Sequence, residues 1–439
     1  MSRMRSPLDD LSRRLKSGEL TSLGLVDDAL KEIRRRNGEL NAFVEVFEEK
    51  ALARARHLDR RRARGVANGE LHGIPAAVKD IFDIASRATG FGSLAYSAEP
   101  AKTDADVIRQ LESAGMIIVG VNSMVEFAFG AWGTNEALGT PRNPWDKKMH
   151  RVAGGSSSGS AVAVAAGLIP VAIGSDSGGS VRTPAALCGV VGLKPTYGTV
   201  STRGVAKLTP SFDTVGVLAN HVDDARRVLE VIGNKRVAAH EVNVSTLKVG
   251  RLEDGQTQPI DAEVAQRFRQ SVAKLRDLGI EVETIRLPHS LLDYQTLCGV
   301  IMTREVYQTL KVIVQDKSRP VSAAVRARVM IGSTISDETY RGALANRIND
   351  IREFERATEG IDILLTPTTP VFAPLLSEID EGQAPLSRFT RIVNYLNLCA
   401  ITVPVRRAAD EMPLGLQMIA KSGQDRILLA FAQYIERAV

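Results

Sequence analysis

The stretch from Val152 to Pro184 constrains the chain most. It sets two loops of glycine and serine, Gly154 to Ser160 and Gly174 to Ser180, on either side of a small apolar unit. Within that unit Ala161 to Ala166 favour a helix, and Val171 to Ile173 form a short strand ahead of Gly174. Gly and Ser are also the ordinary residues of flexible linkers. A linker does not enclose a helix and a strand, however, and the second loop closes on Asp176, Arg182 and Pro184, which fix geometry. Glycine-rich turns that open a helix can cradle phosphate, but neither loop has the G-x-x-x-x-G-K-[ST] or the G-x-G-x-x-G spacing. The third reading is a pair of loops that hold hydroxyls and amide donors against a reacting carbonyl.

Three segments together resemble the motifs of the amidase signature family. They are Gly154-Gly155-Ser156-Ser157-Ser158-Gly159-Ser160, Asp176-Ser177-Gly178-Gly179-Ser180-Val181-Arg182 and, upstream, Gly73-Ile74-Pro75-Ala76-Ala77-Val78-Lys79-Asp80. The likeness continues through Cys188 to Gly198 and Ser211 to Gly216, so the motif block runs from Leu71 to Asp224. It implies a single α/β domain with a central mixed β-sheet covered by helices on both faces. Residue by residue, the resemblance places the catalytic lysine at Lys79, the bridging serine at Ser156 after a cis peptide from Gly155, and the nucleophile at Ser180. It implies an oxyanion hole of backbone N–H groups from Ser177, Gly178, Gly179 and Ser180, with Gly155, Asp176 and Arg182 in support. Met124, Phe127 and Gly130 would line the acyl pocket. Arg328 resembles a family arginine that can hold a substrate carboxylate, and an arginine on a helix surface is an equal alternative.

The rest of the chain fits one domain spanning 1–439. Residues 1–65 read as helices. Ser6 would cap the first with Pro7 at its opening position, and the second would start at Thr21 or Ser22 and stop at Asn37-Gly38. Residues 66–225 form the signature core, and 226–360 a variable, substrate-selecting region with a strand, a helix over Ala262 to Leu278 and a second strand. Residues 361–439 return to strands before a final amphipathic helix that reaches Val439. Lys79 sits in a run, Ile74 to Ile81, that is apolar apart from Asp80, so it is drawn inside, where desolvation lowers its pKa. A lysine general base requires that.

Composition excludes several functions. Net charge is only +5 and the Arg60-Arg61-Arg62 run reads as a solvated helix end, so no nucleic acid is expected as partner. No apolar run is long enough to span a membrane. Cys188, Cys298 and Cys399 are scattered among apolar neighbours and read as reduced thiols, which fits a cytoplasmic protein. Ligand-spaced His or Cys sets are missing, so neither metal nor cofactor is implied.

An amide needs a nucleophile, a proton carrier and an oxyanion site. None of the six histidines stands in a hydrolase-type context, and a Ser-Lys version of triad logic makes histidine unnecessary. The leading expectation is hydrolysis of a small carboxylic amide through a seryl acyl-enzyme, with a homodimer left open. The alternatives are the glutamine-hydrolysing subunit of a tRNA-dependent amidotransferase and a non-catalytic scaffold. The resemblance implies an acidic residue for the glutamine ammonium three positions before Thr390; Ser387 stands there and weakens the amidotransferase reading.

Overall fold

Short apolar runs broken by glycine and proline become the strands of one sheet. In the computed structural model, which describes residues 3–66, 69–239, 242–383, 385–405 and 411–438, these are β1 (Phe43–Val46), β2 (Pro75–Lys79), β3 (Ile117–Asn122), β4 (Val171–Asp176), β5 (Val191–Lys194), β6 (Thr214–Ala219), β7 (Val249–Leu252), β8 (Val282–Ile285), β9 (Ile363–Pro367), β10 (Cys399–Val405) and β11 (Leu414–Ala420). Their order across the sheet is β1-β3-β2-β4-β6-β5-β10-β11-β9-β7-β8. The β3-β2-β4 and β9-β7-β8 neighbours run parallel and the rest antiparallel, so the sheet is mixed. Early and late segments therefore share one sheet in a single large α/β domain, as expected.

The helices are α1 (Leu8–Lys16), α2 (Ser22–Leu40), α3 (Glu48–Ala63), α4 (Asp106–Ser113), α5 (Ser158–Ala165), α6 (Arg182–Cys188), α7 (Val222–Ile232), α8 (Ala262–Asp277), α9 (Leu291–Gln315), α10 (Ala323–Ile331), α11 (Asp337–Ala357), α12 (Arg391–Tyr395) and α13 (Asp425–Ala438). Side chains alternate across the central strands. Ala77, Ala172 and Leu218 pack with α2, α3 and α5 on one face. Val78, Ile173 and Val217 pack with α4, α7 and α13 on the other. The core thus lies on both sides of the sheet, and Cys188, Cys298 and Cys399 are buried free thiols within it.

Four local expectations are corrected. Helix α2 does not stop at Asn37-Gly38: Leu40 still buries, and Asn41 adopts the left-handed conformation (φ 48°) and donates its N–H to Asn37 O at 2.7 Å. The Asn37 side chain instead pairs with both backbone groups of Phe43 at 2.9 Å, tying the helix to β1. Helix α1 begins at Leu8, with Pro7 outside it as the cap position. Helix α5 starts at Ser158, so the first loop is shorter than read. A side chain on Gly159 would come within 2.4 Å of Ala42 O, so this glycine serves close packing of a helix and not a turn. Strand β4 continues through Gly174 to Asp176; a Cβ on Gly174 would lie 2.7 Å from Ser157 Oγ, so this glycine lets the serine loop lie against the strand. The last helix is described to Ala438, and Val439 lies outside the described residues.

Candidate active site

Parallel pairing of β2 with β4, Val78 opposite Ile173, brings the C-terminal ends of both strands to one edge. Lys79 ends β2 there and is wholly buried. Its Nζ lies 2.7 Å from Ser156 Oγ and 2.9 Å from Ser175 Oγ, and as an ammonium it donates to both. Desolvation lowers its pKa to about 7, against the opposing pull of Asp176 and Asp213. A lysine that loses its proton near neutrality is therefore aimed at a serine hydroxyl.

Ser156 follows a cis peptide from Gly155. Its loop is pinned by Gly155 N–H to Ala131 O at 2.8 Å, while Val125 N–H donates to Ser156 O at 3.2 Å. Ser157 N–H donates to Ser180 O at 3.1 Å, joining the two serine loops directly. Ser180, half-buried, lies in the turn between β4 and α6 and faces an open cleft with Ser177, Gly178 and Gly179. Gly179 has φ +123°, and a Cβ there would meet Thr390 Oγ1 at 2.2 Å, so only glycine fits this corner. Its N–H already donates to Asp176 Oδ1 at 2.8 Å, so of the four expected oxyanion donors Gly179 is engaged elsewhere.

Asp176 and Arg182 form a fully buried bidentate pair, Nη2 to Oδ1 at 2.8 Å and Nε to Oδ2 at 3.0 Å. Burial alone would raise the carboxyl pKa, and the guanidinium overrides it and holds Asp176 well below the usual carboxylate range. The remaining Arg182 N–H groups donate to Thr390 O (3.0 Å), Gln417 Oε1 (2.7 Å) and Asn394 Oδ1 (2.7 Å). Arg182 is thus saturated and has no valence left for a substrate carboxylate. Replacing Asp176 by Asn would strand a buried guanidinium charge; unfolding in urea should show a loss of about 3–5 kcal/mol.

Several residues belong to the site that sequence reasoning missed. Ser175 stands in what read as a loop; recognising that β4 runs on to Asp176 would have placed it beside Lys79. Asp213, half-buried and with its pKa raised by desolvation, accepts a hydrogen bond from Ser177 Oγ at 2.6 Å and fixes the loop that carries Ser180. Gln417 is the polar residue inside the apolar run of β11, and that interruption was its signal.

The acyl-pocket expectation is corrected in part. Met124 and Phe127 are buried in the core and do not line the cleft, because Phe127 turns back at φ 52° and packs edge-on to Phe91. Gly130 does line it, as does Arg328, whose Nη1 lies 2.6 Å from Glu381 Oε2. The cleft wall also takes Glu381, Ser387 and Arg391 from the 361–439 segment, so substrate contacts are not confined to 226–360. Away from the cleft, His289, Asp350 and Glu353 bring ligand-type atoms within 4.8 Å of one another. Asp350 there is engaged by Tyr395 Oη at 2.5 Å, which ties α11 to α12.

The Amidase family model matches residues 24–429. The chain belongs to the Amidase family. Its activity is of the amidase class, cleavage of a carbon–nitrogen amide bond. This amidase-family protein is 35% identical to a glutamyl-tRNA(Gln) amidotransferase subunit from Symbiobacterium thermophilum, over 96% of this chain and 94% of that one. Among solved structures it superposes on an amidase with a TM-score of 0.91 at 30% identity, covering 99% of this chain and all of the other. It also superposes on a chain of an inhibitor-bound vestigial protein complex that reveals the evolutionary origins of an s-triazine catabolic enzyme, with a TM-score of 0.89 at 28% identity, covering 98% of each chain. Among the described residues no helix is long and apolar enough to cross a membrane.

Proposed function

We propose that this protein hydrolyses a small-molecule carboxylic amide through a seryl acyl-enzyme, with Ser180 as nucleophile, Ser156 as proton bridge and Lys79 as base. The observation that carries this reading is the buried Lys79 Nζ, 2.7 Å from Ser156 Oγ. A neutral amine has two N–H groups and one lone pair. Donating to Ser175 leaves the lone pair to take the Ser156 proton, and Ser156 in turn takes that of Ser180. Ser180 Oγ attacks the carbonyl carbon. Negative charge on the carbonyl oxygen is met by N–H groups of Ser177, Gly178 and Ser180, in a loop whose shape Asp176 maintains. The proton returns through Ser156 to the leaving nitrogen, and water releases the acid.

Two readings share this chemistry. In one the protein is a free-standing amidase; in the other it hydrolyses glutamine and passes on ammonia within an amidotransferase complex. The 35% identity to a glutamyl-tRNA(Gln) amidotransferase subunit favours the second. The cleft favours the first, since neutral Ser387, engaged by Gln295 Nε2 at 3.1 Å, stands at the position where the resemblance implies an acid for glutamine's ammonium. A panel of primary amides that includes glutamine, read out as released ammonia with Ser180→Ala as control, tests the shared chemistry. Turnover by the isolated chain supports the free-standing reading. Ammonia released only from glutamine, and only with co-purified partner proteins, supports the other. No ammonia from any amide in either preparation removes both.

A further inference from the structure

The three charged side chains on the cleft wall are Arg328, Glu381 and Arg391, counted among the described residues. Two of them neutralise each other. Arg328 pairs with one Glu381 oxygen at 2.6 Å, and Thr134 Oγ1 donates to the other. Each Glu381 oxygen is thus already engaged, and its charge is offset by Arg328.

Arg391 is different. It opens α12, and its stem passes over the nucleophile loop: a Cβ on Gly178 would sit 3.5 Å from its Cγ and 3.8 Å from its Nε. Nε is buried without a hydrogen-bond partner, and Nη1 makes one long contact, 3.3 Å to Gln295 O. Burial lowers its pKa, and no carboxylate among the described residues acts on it. A half-buried guanidinium without an acid keeps its charge uncompensated and its buried Nε–H unpaired, which costs free energy. A carboxylate is its natural partner, because planar N–H pairs match the two oxygens.

Resting on the amide-hydrolase reading, we propose that the substrate is an amide whose acyl part carries a carboxylate and no ammonium, and that Arg391 binds that carboxylate. The single uncompensated positive charge among the described cleft residues matches such a monoanion, whereas zwitterionic glutamine would bring an ammonium to a wall whose one carboxylate is already neutralised by Arg328. The competing account, in which Arg391 only clamps α9 through the Gln295 carbonyl, requires no dependence on ligand charge.

Calorimetric binding to the Ser180→Ala protein separates the two. Malonamate, succinamate and glutaramate are compared with propionamide, butyramide and valeramide, which replace the carboxylate by a methyl group, and glutaramate is compared with glutamine. At least one carboxylated amide should bind on the order of tenfold to a hundredfold tighter than its uncharged counterpart. Glutaramate should bind more tightly than glutamine. Adding Arg391→Met should abolish the charge preference, while Arg391→Lys, which keeps the charge and guards against misfolding, should restore part of it. Equal affinity for charged and uncharged members overturns the proposal. So does a lack of saturable binding by all three carboxylated amides, glutamine binding as tightly as glutaramate, or a preference that survives Arg391→Met. Failure of the wild-type protein to hydrolyse an amide it binds would strike the functional reading instead.

Discussion

Replacing Ser180 by alanine is expected to lower kcat/KM on a turned-over amide by at least about 10⁴-fold, because a covalent route cannot begin without its nucleophile. The fold should tolerate the change. Ser180 is half-buried at the cleft wall, and its backbone carbonyl, not its side chain, accepts the bond from Ser157 N–H. The variant should therefore unfold at the wild-type urea midpoint while releasing no ammonia above background. Intact-mass measurement gives a second readout: a fluorophosphonate should add to the wild-type chain and fail to add to Ser180→Ala. Activity within tenfold of wild type in the alanine variant would remove Ser180 from the mechanism.

Lys79→Met is expected to abolish turnover to a similar extent and, below neutral pH, to make the protein more stable. The folded-state pKa of Lys79 is depressed from 10.5 to about 7. Between these two values the unfolded chain binds a proton that the native chain does not, so the lysine's contribution to stability rises with pH across that window. Below it, the native state bears the full penalty of roughly 4–5 kcal/mol. Methionine escapes the penalty but leaves the Ser156 and Ser175 hydroxyls without their amine, a loss of about 1–3 kcal/mol. The net expectation is a gain of about 2 kcal/mol at pH 6 that shrinks and reverses towards pH 10, as urea unfolding at pH 6, 8 and 10 would reveal. Wild-type kcat/KM should rise with pH through about 7 as the amine loses its proton. A pH-independent stability difference, or a rate that falls across neutrality, would contradict a buried lysine base.

The parts of this molecule that could be read from the sequence are those whose meaning is local. Lys79 stood out as a charge in an apolar run, and the two serine loops carried their own spacing. Where a glycine had two local meanings, the reading went wrong. Gly174 and Gly159 read as loop residues, yet each lies in a regular element and is small because another backbone or hydroxyl passes against it. Asn37-Gly38 carried a helix-stop signal that burial of Leu40 outweighed. The support around Asp176 and Arg182 was out of reach for a different reason. Thr390, Asn394 and Gln417 arrive from more than 200 positions away, and no local pattern announces which polar side chain closes a remote hydrogen-bond shell. Arg391 was likewise unremarkable until the cleft showed it to lack an acid.

That remote closure bears on when activity can first appear. Lys79, Ser156 and Ser180 have all been synthesised more than 200 residues before Gln417, whose amide oxygen the guanidinium behind them still lacks. A nascent chain on the ribosome can thus own every reacting atom and still be inert, so competence should switch on only after Gln417 has been made and folded against Arg182.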